Sequence, residues 1–136
     1  MNTNDTNKNN KLIYPELSYI ITGVCFDVHN QLSRFRKEKL YCDLLEAKFK
    51  EKGLNYLREH RVQETEDRVD FLIENKIILE LKTKPFILKA DYYQIQRYLQ
   101  ILDMKLGLLV NFRARYLKPL RILKVTKLVP QKFAEH

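Results

Sequence analysis

Nowhere in this sequence do apolar residues run to the ~18 that a membrane-spanning helix needs, and the polar opening Met1 to Lys11 has no apolar core of the signal-peptide kind. A soluble, cytoplasmic protein with no membrane partner is the expectation. Cysteine is almost absent. Cys25 and Cys42 are the only two, and both fall on apolar stripes of predicted helices, where a free thiol acts as a small buried hydrophobe. Neither a disulfide framework nor a zinc site is indicated. Acidic residues run short in the second part of the chain: residues 82–136 hold 12 Lys/Arg against 3 Asp/Glu, while residues 1–81 hold 13 against 14.

What is present fits one domain. A chain of 136 residues that is 45% hydrophobic can bury one core and has little room for a second. Residues 1–12 are polar and lack periodicity, so they read as a disordered arm; 13–129 form the domain and 130–136 a loose tail. The C-terminal basic excess is densest at Arg113, Arg115, Lys118, Arg121, Lys124 and Lys127. Beside an acidic motif region, such a run suits a polyanion held against a metal site. A solvated surface would carry the same charges.

Periodicity sets the order of elements. Leu17, Ile20, Ile21, Val24, Cys25, Val28 and Leu32 follow helical spacing behind Pro15, and Leu40, Tyr41, Leu44, Leu45 and Phe49 mark a second helix that Gly53 stops. Short β-like runs follow at Tyr56–Gln63, Arg68–Ile73 and Ile77–Lys82. Glu74-Asn75-Lys76 reads as a hairpin loop, although it lacks the usual glycine. A helix over Lys89–Leu102 is predicted from Tyr92, Ile95, Tyr98, Leu99 and Leu102. The unbroken apolar run Leu106–Phe112 reads as a strand covered on both faces, with a last strand from about Leu120 to Val129.

The loop fixes a register. With Ile73 facing Ile77, outward counting sets Asp70 directly opposite Glu80, where Cβ atoms are about 4.5–5.5 Å apart and like charges repel. A hard divalent cation would turn that repulsion into binding, and Mg²⁺ is commonly held by one or two carboxylates with waters and phosphate oxygens. Side chains alternate along a strand, so Lys82 points the same way as Glu80. Its ammonium then stands beside a metal-bound water aimed at a phosphodiester. An isolated Glu-x-Lys is more often a surface ion pair; here Ile77-Ile78-Leu79 and Leu81 are too apolar for a surface strand.

These residues resemble the PD-(D/E)XK nuclease superfamily, which pairs an acidic residue with an acidic-x-Lys strand. Gln94 and Tyr98 stand as Gln-x-x-x-Tyr on the following helix, similar to the exonuclease-like branch associated with DNA helicases. Val28-His29-Asn30, Leu32, Glu38, Tyr41, VDFLIENKIILELK, Gln94, Tyr98-Leu99 and GLLVNF look like the bacterial GxxExxY family. The likeness covers about residues 14–125. It implies an α/β fold of the restriction-endonuclease type, a central mixed sheet with helices on both faces and the site at one sheet edge.

The resemblance further implies Asp70 and Glu80 as metal ligands, Glu38 as an added metal or water ligand, and Lys82 as the catalytic lysine. Gln94 and Tyr98 would position the site or the nucleic acid, and the ion would be Mg²⁺ or Mn²⁺. His29 also matches a family position, where a structural role outweighs ligation. Ser33 and Phe35 replace glycines in the turn before Glu38, so that turn is expected to take another shape. Asp91 stands where the family commonly has histidine. Two functions compete: a nuclease, with DNA the leading substrate, and a nucleic-acid-binding or accessory module with the same fold and little turnover. A homodimer or a helicase-type protein partner fits either.

Overall fold

The computed structural model describes residues 13–126. The predicted arm, the tail and the last residues of the run to Val129 lie outside them. Helix α1 spans Pro15–Leu32 with its proline in the first turn, where the missing N–H costs nothing, and buries Ile21, Val24, Cys25 and Val28. Helix α2, Glu38–Glu51, buries Tyr41, Cys42, Leu45 and Phe49 one or two turns apart. Ile20 and Leu40, both on the predicted stripes, are left partly open. Gly53 ends α2 at φ +70°, and the Leu54 N–H returns to Phe49 O at 3.0 Å.

Five strands follow in sheet order: β1 Tyr56–Arg61, β2 Arg68–Ile73, β3 Ile77–Lys82, β4 Leu106–Asn111 and β5 Leu120–Leu123. All neighbours are antiparallel except β3 and β4, which run parallel because helix α3, Lys89–Leu102, crosses over between them. The hairpin register is the one counted from the sequence, with Ile73 opposite Ile77, Leu72 opposite Ile78 and Phe71 opposite Leu79. Its loop turns without glycine: Glu74 and Asn75 both take positive φ, and Lys76 N–H closes on Ile73 O at 2.9 Å.

The sheet has a core on each face. Helices α1 and α2 pack over Phe71, Ile73, Leu79, Leu81, Leu108 and Val110, while α3 covers Leu72, Ile78, Leu109 and Ile122. Being covered on both sides explains why β3 and β4 read as almost unbroken apolar runs. Gly107 lets α3 sit close, since a Cβ there would meet Ile95 Cγ2 at 2.8 Å. The architecture is the α/β mixed sheet with helices on both faces. One placement is corrected: β3 is the third of five strands, so Glu80 and Lys82 lie mid-sheet, at the C-terminal end of a central strand, and not at a sheet edge. Among the described residues no helix is long and apolar enough to cross a membrane.

Candidate active site

Asp70 and Glu80 meet, but not as two side chains facing one another across an intact ladder. Paired residues stop at Phe71 and Leu79; beyond them the Asp70 N–H donates to Glu80 Oε1 at 2.7 Å, and the Leu81 N–H donates to Asp70 Oδ2 at 2.7 Å. Each carboxylate takes the backbone donor that the opposite strand would have paired. On the other side of β2 the ladder skips one step as well, between the pairs Arg58 with Phe71 and His60 with Val69. The skipped residue Glu59 sits at φ +52°.

The register is the same on both sides of the skip, so no residue has been inserted. The chain kinks in place. Val69 accordingly packs under α3 while Phe71 packs under α1 and α2, although residues two apart should share a face. Asp70 lies at that reversal and reaches the α2 side. There Glu38, Cys42 and Asp70 each put a ligand atom within 4.8 Å of the other two. Glu38 and Cys42 are one turn apart on α2, which aims both at the same spot. These three also line a cleft of about 370 Å³ with Lys39, Arg58 and Arg68.

The electrostatics follow from the crowding. Burial, then the charge of Asp70, pushes the Glu38 carboxyl up to about 7. Burial and the Asp70 charge also hold Glu80, only 5% exposed, well above the usual carboxylate range. Asp70 is raised too, by burial, although the Leu81 N–H opposes the rise. Burial, then the charges of Asp70 and Glu38, push the Cys42 thiol far up, which favours its neutral S–H form. Glu38 and Asp70 offer oxygen donors of the kind a hard divalent ion takes, with Cys42 Sγ beside them, and Lys39, Arg58 and Arg68 line the same cleft.

Lys82 closes the group. Its Nζ donates to Gln94 Oε1 at 3.1 Å and lies 3.8 Å from Asp91 Oδ1. Tyr98, one turn beyond Gln94, is buried, and burial together with the Glu80 charge raises its hydroxyl to about 12. Asp91 is tied down at two points. It accepts the Leu88 N–H at 2.7 Å at the start of α3 and pairs with Lys84 Nζ at 2.6 Å, so α3 is tied to the chain leaving β3. His29 Nε2 donates to Ala114 O at 2.8 Å and holds the β4–β5 connection against α1.

Other expectations are redistributed. Ser33, one of the two residues expected to reshape the turn, takes φ 64° and ψ −154°, a conformation that favours glycine, and its carbonyl accepts the Tyr41 hydroxyl at 2.5 Å. The basic run is not one continuous face. Arg121 donates to Ser18 Oγ and Ile13 O, both at 2.6 Å, and Lys124 pairs with Asp103. Arg113 and Arg115 lie over the Phe35 and Tyr116 rings. Cys42 was read only as core; the Glu38-x-x-x-Cys42 spacing was the available signal, but only the packing of α2 on β2 gives it meaning.

A mixed sheet with acidic groups gathered beside a lysine at the end of its central parallel strand defines a class of metal-binding hydrolase sites. A family model of the PD-(D/E)XK nuclease superfamily matches residues 15–122, most of the chain, and the protein belongs to that superfamily. Its members hydrolyse phosphodiester bonds, typically with divalent metals. No curated protein and no solved structure gives a significant match.

Proposed function

We propose that the protein is a Mg²⁺- or Mn²⁺-dependent nuclease acting on DNA in the cytoplasm, its site built from Asp70, Glu80, Glu38 and Lys82. The observation that carries the reading is the convergence of Asp70 with Glu38 on one side and with Glu80 on the other, at the end of the strand that delivers Lys82. Asp70, Glu80 and Glu38 would hold the ion. When bound, such an ion polarises a phosphoryl oxygen and lowers the pKa of a water. Lys82, restrained by Gln94, orients the attacking water and offsets the charge that grows on the phosphate. Arg113, Arg115 and Lys118 offer cations to the nucleic-acid backbone.

A second reading has its own observation. Arg121 and Lys124 are tied into the protein, which removes two of the five basic residues expected to hold nucleic acid (Arg113, Arg115, Lys118, Arg121 and Lys124) and leaves a weaker grip than the sequence suggests. That favours an accessory module whose partner supplies the rest of the grip. Labelled single- and double-stranded DNA and RNA, incubated with Mg²⁺, Mn²⁺ or chelator, separate the two. Ion-dependent cleavage that Lys82→Ala abolishes while melting stays unchanged supports the nuclease. Binding without cleavage under every ion supports the module.

A further inference from the structure

The α1–α2 turn carries a feature that the site chemistry does not use. Phe35 is 69% exposed, although a lone phenylalanine ring gains nothing from water. Two guanidinium groups stand by it. Arg34 Cζ lies 4.9 Å and Arg113 Cζ 5.2 Å from the ring centroid, and Arg34 Nε donates to Arg113 O at 2.9 Å, so the turn and the end of β4 are locked together. The ring is thus held in place with much of its surface open.

Phe35 also borders an open cleft of about 460 Å³, with Arg36, Lys37, Lys39, Leu40 and Asp43. Its one acid, Asp43, is already paired with Lys39 and Arg58, each at 2.8 Å. Leu40 adds a second exposed apolar side chain. A flat apolar surface ringed by cations and sized within the range of small-ligand pockets matches one chemistry, an aromatic base carried on a phosphate. Lys39 lines this cleft and also the one that holds Glu38 and Asp70. The two clefts are neighbours.

We propose that Phe35 is a stacking platform for an unpaired nucleotide, with Arg34, Arg36, Lys37 and Arg113 on the adjoining phosphates, so that the strand entering the site is single-stranded. The proposal rests on the nucleic-acid reading above and adds its substrate form. In a duplex the bases are stacked on one another and none is free to lie on the ring; an unpaired base has a face to offer. Phe35 then selects for strand state and not for sequence, since every base has such a face.

The test uses the full chain in chelator, so that nothing is cut, and reads anisotropy of a short labelled single strand and of its blunt duplex. Phe35→Ala is expected to weaken single-strand binding about 5- to 100-fold, the range of one lost base stack, and to change duplex binding less than about twofold. Phe35→Tyr, which keeps a ring, should restore binding. Circular dichroism of Phe35→Ala should match wild type, as the ring is outside the core. Unchanged single-strand binding, equal losses for both substrates, or equally good displacement by polyglutamate would each overturn the platform. If wild type binds the single strand and Phe35→Ala binds it equally well, the platform alone is wrong. If wild type binds neither substrate, the nucleic-acid reading fails first.

Discussion

Asp91 shows how much a single carboxylate settles here. Burial works against its charge, but the Leu88 N–H, Lys84 and Lys82 more than compensate and hold it below the usual carboxylate range. A carboxyl depressed on folding contributes stability above its unfolded value of about 3.9, and that contribution fades as pH falls through the folded value. Asp91→Asn can still accept the Leu88 N–H but loses the ion pair. We expect it to cost about 1.5 kcal/mol in denaturant titrations from pH 5 to 8, with the gap to wild type closing below about pH 4. A gap that stays constant into acid would mean that the charge contributes nothing. From sequence alone Asp91 was visible only as a departure from a family pattern. Leu88, three residues before it, is a local partner, whereas Lys82 lies on β3 and meets it only once α3 has begun its crossover.

Among the elements, the turn between α1 and α2 and the hairpin between β2 and β3 were legible to different depths. Loop length fixes the hairpin register, because a one-residue slip would move every apolar side chain to the wrong face; Ile73 and Ile77 therefore pair as counted. The kink at Glu59 and Asp70 was not legible. Alternation assumes that backbone groups pair with backbone groups, and here two carboxylates take those places. In the α1–α2 turn, serine has less backbone freedom than glycine, yet Ser33 occupies a region nearly exclusive to glycine, held there by its N–H to His29 O at 2.8 Å and by Tyr41. Strain of that kind costs about 1–3 kcal/mol. Ser33→Gly should therefore stabilise the protein by about 1 kcal/mol and raise the melting temperature. A lower melting temperature would mean that the serine side chain contributes something the backbone geometry does not reveal.

At the scale of the whole molecule, the acids at the centre of the sheet are a fold-stability question before they are a catalytic one. A carboxyl whose pKa rises on folding costs stability at any pH above its unfolded value, because the folded state must either ionise it at a penalty or hold the proton. Asp70 and Glu80 are raised in this way, and Glu38 at their side is shifted in the same direction. A divalent ion bound among them removes the penalty, and a ligand restricted to the native state adds RT ln(1 + [L]/Kd), about 2.7 kcal/mol at 100 times Kd. Melting in Mg²⁺ or Mn²⁺ should therefore exceed melting in chelator. Asp70→Asn separates this account from ordinary core damage. The amide oxygen can still accept the Leu81 N–H, while one of the crowded charges is gone, so in chelator the variant should be at least as stable as wild type. In saturating ion it should lose most of the gain. Most substitutions at buried polar positions destabilise, so the sign is the discriminating quantity. Asp70→Asn clearly less stable in chelator, with neither protein responding to Mn²⁺, would mean that these carboxylates only brace the strands and hold no ion.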